Sequence, residues 1–158
     1  MITLHLIGSH ASLPKGHCIL FFKDTRQDPK APPHFYVVFP VNPVLRFSIS
    51  IITSQIEKRV EYYRKTNPKA LRSLVEISND IFDFLTKESI TDCNHMELLS
   101  REELIKRIDP AVPCQIKTRP GEMPRFLKRK IFSAIDQSPL LSPATKKIIK
   151  AIHKDHET

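Results

Sequence analysis

The chain has 158 residues, 41% of them apolar and 27% charged, which is enough for one domain with a sizeable core and too apolar for wholesale disorder. Its three glycines, Gly8, Gly16 and Gly121, cannot build a Gly-rich phosphate loop, and its 13 prolines stiffen the connections instead. The net charge of +8 is concentrated between Gln115 and Lys154, where ten Lys or Arg face only Glu122 and Asp136. Such asymmetry fits a nucleic acid, an acidic protein partner or simple solubility, with nucleic acid favoured.

Three scattered cysteines without a CxxC suggest a reduced, cytoplasmic setting, and neither a secretory leader nor a transmembrane segment is expected.

In chain order, the apolar stretch 17–23 ("HCILFFK") reads as a strand and "DTRQDPKAPP" as a loop. "HFYVVFP" is the next strand, ended by Pro40. In "LRFSISIIT", Phe47, Ile49 and Ile51 alternate with Arg46, Ser48 and Ser50, so one face should be buried and the other polar. A short helix through Ile56, Val60 and Tyr63 should stop at Asn67-Pro68. "SLVEIS" and the segment from Ile90 are further strands, and Ser100 with Glu103 forms a capping box before a helix.

The domain division expected is a β-barrel over 1–108, a Pro-rich linker over 109–124 and a basic helical hairpin over 125–158 packed on the barrel. The first hairpin helix runs from Arg125 to Gln137, and the second opens with Ser142 as cap and Pro143 at its first position. Ile131, Ile135, Ile148 and Ile152 should be buried, with Lys128, Lys146 and Lys150 in solvent. The fold class is therefore mainly β, a β-rich α+β chain with a small closed or half-closed antiparallel barrel, a helix and a C-terminal hairpin.

The order of "GHCILFF", a long basic loop, "HFYVVF", a strand closing in "ITS", "LTKESITDCN" and an Ile/Leu-rich helix resembles the MazF/Kid/PemK toxin family over about residues 15–108. The resemblance implies an SH3-like barrel and a metal-independent endoribonuclease of a toxin–antitoxin or mobile-element system. Its partners would be RNA and an antitoxin protein or RNA, with dimerisation an analogy to the family and no cofactor. Thr53-Ser54 and Ser89-Ile90 fall at the family's Thr-Ser pair and Ser-Val/Ile segment. The family's loop arginine corresponds to Arg26, with Lys30 beside it, while His34 stands where an Arg usually opens the second strand.

That chemistry needs a group to deprotonate a 2′-hydroxyl, one to protonate the leaving 5′-oxygen, and donors around the phosphate. His34, Thr53 and Arg26 are the catalytic candidates, histidine because it titrates near neutrality. Lys30, Ser54, Lys58, Arg59, Lys87, Ser89, Lys128 and Arg129 are the nucleic-acid-binding candidates. Each has a bland reading too: a strand-edge histidine, a strand end at Thr53-Ser54, solvated lysines on a helix face. Cys93 and His95 lack further ligands at zinc spacing, so no metal is expected. The alternative function is the same barrel as a non-catalytic protein or nucleic-acid interaction module.

Overall fold

The computed structural model describes residues 2–4, 16–42, 46–119 and 121–156, and side chains within 16–41, 47–119 and 121–151. It is a mainly-β α+β fold whose strands pair antiparallel. The chain forms two compact units: residues 1–51 with 97–123, and residues 52–96 with 124–158.

In the first unit, β1 (Ile2–Leu4), β2 (Cys18–Phe22), β3 (His34–Asn42), β4 (Arg46–Thr53), β7 (Glu97–Ser100) and β8 (Cys114–Thr118) build the sheet. Its order is β1-β8-β2-β3-β4, with β7 pairing β4 through residues 46–49 and 97–100. The sequence between Leu99 and Cys114 supplies helix α2 (Arg101–Arg107), capped by Ser100, whose Oγ accepts from the Glu103 amide at 3.1 Å. The core gathers Cys18, Leu20 and Phe22 of β2, Tyr36 and Val38 of β3, Phe47 and Ile49 of β4, and Leu99, Leu104, Ile108 and Cys114. β2, β3 and β4 thus contribute alternate residues to one face, as a pleated strand must.

Phe47 and Ile49 are buried as the alternation requires, and Ile51 packs half-buried against the same core. The opposite face departs from expectation: Ser48 and Ser50 are buried as well. Serine is small enough to be enclosed, and a strand buried on both faces need not show a strongly apolar second set. β3 also passes through Pro40 to Asn42 instead of ending there.

Residues 109–124, expected as a linker, hold β8, which pairs with both β1 and β2. Four prolines mask a strand that is free of proline over Cys114–Thr118.

In the second unit, the last residues of β4, Ile52 and Thr53, pair with Thr91 and Ile90 of β6 (Ser89–Asp92), which in turn pairs with β5 (Leu74–Ile77). Helix α1 (Ile56–Thr66) ends at Asn67, as Pro68 dictates, and a 3₁₀ turn over Pro68–Ser73 leads into β5. Helices α3 (Arg125–Gln137) and α4 (Pro143–His156) pack together, and α3 lies on β5 and the Pro68–Ser73 turn. Leu127, Ile131, Phe132, Ala134 and Ile135 form its buried stripe. On α4 it is Ile149 that is buried, Ile148 being half-buried; the side chain of Ile152 lies outside the described residues. Lys128 and Lys146 are half-buried and Lys150 is exposed. No helix among the described residues is long and apolar enough to cross a membrane.

Candidate functional site

The loop joining β2 to β3 carries Arg26 and Lys30, and its charges are the means by which it is held. Lys23 is buried, and its ammonium donates to the Asp28 and Ala31 carbonyls at 2.6 Å each. Asp24 and Asp28 each accept through Oδ1 from the amide two residues on, Arg26 and Lys30, at 2.8 Å. These are the side-chain turns that aspartate forms readily in place of glycine. The loop is also tied to α2 by the Thr25 amide donating to the Arg107 carbonyl at 2.8 Å.

Beneath it lies an ionic cluster. Arg107 donates from Nε to both Asp24 oxygens, at 2.9 and 3.0 Å, and from Nη2 to Oδ2 at 2.5 Å. Its Nη1 donates to Glu97 Oε2 at 2.5 Å, and Arg26 approaches the same oxygen at 3.7 Å. The Arg107 and Asp24 side chains are only 10% and 4% exposed, so this fork is shielded from water. Burial alone would raise the Asp24 carboxyl, but the Arg107 hydrogen bonds, the Arg26 amide and both arginine charges bring it below its ordinary value. Arg107 is correspondingly held more firmly protonated.

His34 opens β3 opposite Phe22 and is half-buried. Its Nδ1 is enclosed without a hydrogen-bond partner, as is Oε1 of Gln27 in the loop. Burial, and then the Lys23 charge, lower the His34 pKa; the Pro32 carbonyl and Asp24 oppose the shift without cancelling it. The imidazole is therefore neutral at neutral pH. Two residues along β3, Tyr36 stacks on Phe22 at 4.3 Å between centroids and accepts from Gln27 Nε2 at 3.4 Å.

Of the residues singled out from the sequence, Arg26, Lys30 and His34 belong to this first unit. The others belong to the second unit. There Thr53 ends β4 in a hydroxyl turn, its Oγ1 accepting from the Gln55 amide at 3.1 Å, and Ser54 is exposed. The corner needs no Gly, Asn, Asp or Pro, because the threonine side chain makes the turn itself. Arg59 is engaged rather than available, donating from Nη1 to Asp92 Oδ2 at 3.0 Å. Ser89 is buried and donates to the Lys87 carbonyl at 3.0 Å. Lys58, Lys87 and Arg129 are exposed.

Asp92 organises this second unit. Besides Arg59 it accepts from the Tyr63 hydroxyl at 2.6 Å and from the Asn94 amide and Nδ2 at 3.0 Å. Asn94 passes the network on, donating to the Ala70 carbonyl at 2.9 Å and accepting from Ser138 at 2.7 Å. The hydrogen bonding to several backbone and side-chain groups makes it a staple for α1, the Pro68–Ser73 turn and the end of α3.

Sequence reasoning missed Asp24, Glu97, Arg107 and Asp92. Asp24 and Arg107 are 83 residues apart, and an acid in a basic loop or a base in the last turn of a helix looks like ordinary surface charge. The three cysteines are buried free thiols; burial raises all of them, Cys114 to about 12, which leaves none as a ready nucleophile. Among the described residues no group of three or more His, Cys, Asp or Glu could hold a metal ion. No family model and no curated protein sequence matches the chain.

Proposed function

We propose that the chain is an RNA-binding protein of the PemK-like kind, built on an SH3-like barrel, that cleaves RNA without a metal in a toxin–antitoxin or mobile-element setting. The observation that carries the reading is His34: a half-buried imidazole whose pKa lies below its ordinary value, at the foot of a fixed loop that exposes Arg26 and Lys30. A neutral imidazole can take the proton of an RNA 2′-hydroxyl. The 2′-oxygen then bonds to phosphorus as the P–O5′ bond breaks, and the proton held by the His34 imidazolium is returned through water to the leaving oxygen, giving a cyclic phosphate, a 5′-hydroxyl and a neutral imidazole again. Arg26 and Lys30 supply positive charge to the crowded phosphate. Thr53 and Ser54, in the second unit, offer hydroxyl donors to RNA phosphates, and an antitoxin and a second copy of the chain are the protein partners the resemblance implies.

The rival reading, a non-catalytic interaction module, has one observation in its favour. Arg26 and Arg107 share Glu97, so part of the positive charge is already neutralised within the protein.

The test is incubation of purified protein with single-stranded RNA at low salt, beside His34→Gln. Cleavage by the parent, absent in the variant at every pH while binding persists, supports the enzyme. Binding without cleavage, unchanged in the variant, selects the module. Neither binding nor cleavage removes the RNA reading, and induced expression in a bacterial host with RNA integrity followed gives the same decision in the cell.

A further inference from the structure

The solvent face of α3 carries a feature that packing does not explain. Leu127, Ile131, Phe132, Ala134 and Ile135 are buried, yet Phe126, next to them in sequence, is 51% exposed. It is at the head of a stripe continued at helical spacing by Arg129, Lys130, Ser133 and Gln137, all exposed. Lys130 Nζ lies 5.8 Å from the centre of the phenyl ring. Arg125 precedes it and Arg129 lies one turn on, so in the stretch 125–130, "RFLKRK", Phe126 shares its exposed side of the helix with Arg129 and Lys130.

No ion pair involves Arg125, Lys128, Arg129 or Lys130 among the described residues. The nearest acids in sequence are Glu122 and Asp136, and Asp136 is taken by Lys150 of α4 at 2.6 Å. The first turn of α3 has no acidic residue and no side-chain cap, so its cations stand at the end of the helix where they are least favourable. A lone exposed phenylalanine is common on protein surfaces. One with a cation over its ring and a further arginine one helical turn away, neither in an ion pair among the described residues, matches a polyanion that also has flat apolar faces.

We propose that Phe126, with Arg125, Arg129 and Lys130, is a docking platform for single-stranded RNA, on which an unpaired base stacks while the cations hold the flanking phosphates. The inference rests on the reading that RNA is the ligand, and adds to it a second contact point and a preference for unpaired strands. Duplex RNA offers the same phosphates but keeps its base faces stacked on one another, so it satisfies the charges and not the ring.

The chain contains no tryptophan, so Phe126→Trp places its one indole at the platform, excited selectively over the three tyrosines. The full chain, this variant, Phe126→Ala and Arg129→Gln are titrated with a single-stranded 2′-O-methyl oligoribonucleotide, which cannot be cut by its own 2′-oxygen, and with a duplex of equal length. The expected result has three parts: indole quenching by the single strand but not by the duplex, single-strand affinity about fivefold or more weaker in Phe126→Ala, and a salt slope reduced by about 0.7 in Arg129→Gln. Parent-like affinity in Phe126→Ala without quenching in Phe126→Trp overturns the platform and leaves the RNA reading standing. Equal quenching by the duplex also overturns it, because stacking of unpaired bases is then not the contact. If the parent binds neither RNA at low salt, the RNA reading itself fails and the platform with it.

Discussion

Arg107 holds two carboxylates in one fork, and the arrangement predicts an asymmetry between single and double substitutions. Arg107→Met leaves Asp24 buried without its counter-charge and should cost about 3–5 kcal/mol in urea unfolding. Asp24→Leu with Arg107→Met removes both charges and should recover much of that loss, because a buried pair contributes little net stability compared with apolar packing. A double variant as unstable as Arg107→Met would show that the fork shapes the loop by more than charge compensation. His34 supplies a pH test. Its folded pKa lies below the ordinary 6.5, so the stability tied to its neutral form is complete above pH 6.5 and is lost as pH falls through the lower folded value. His34→Gln should flatten the stability profile just below pH 6.5. Asp24 acts in the same sense but in a window below 3.8, so the two groups separate in an acid titration.

At the scale of elements, α3 should owe its stability to its buried stripe and little to its exposed charges. Its buried stripe sits on β5 and the Pro68–Ser73 turn, and Ser73 donates to the Ala134 carbonyl at 2.6 Å. Ile135→Ala should therefore cost about 2–5 kcal/mol, as truncating an enclosed aliphatic side chain does. Lys150→Ala, which breaks an exposed pair with Asp136, should cost no more than about 1 kcal/mol. Comparable losses in the two denaturation curves would mean that α3 is held by its surface and not by its stripe.

At the scale of the whole molecule, the chain is interleaved. The first unit needs residues 97–123 as well as 1–51, and the second needs 124–158 as well as 52–96. A fragment of residues 1–108, the natural cut if 109–124 were a linker, would lack β8, the partner of both β1 and β2, and would lack α3 and α4. It should show no cooperative thermal transition and poor dispersion of amide resonances, because two strands lose their neighbours and β5 loses its cover. A fragment that melts like the intact chain would restore the linker. The chain order also bears on folding rate: contacts spanning 83 residues, such as Asp24 to Arg107, should form late, because loop-closure entropy opposes them.

Local patterns were enough for what depends on local physics. The period-two alternation through Phe47, Ile49 and Ile51, the stop of α1 at Pro68, the Ser100 and Ser142 caps and the bounds of α3 were all legible, since each is decided by residues within a few positions of one another. His34, Arg26 and Lys30 could be named as candidates from residue type and order alone. The tertiary structure decided what depends on distant partners. It buried Ser48 and Ser50, made a strand of residues 114–118, gave Arg59 to Asp92, and set the Asp24–Arg107–Glu97 cluster under the loop. A charge advertises only that it wants a partner. Which one it finds, and whether water is excluded from the pair, is fixed by the packing of segments that the sequence keeps far apart.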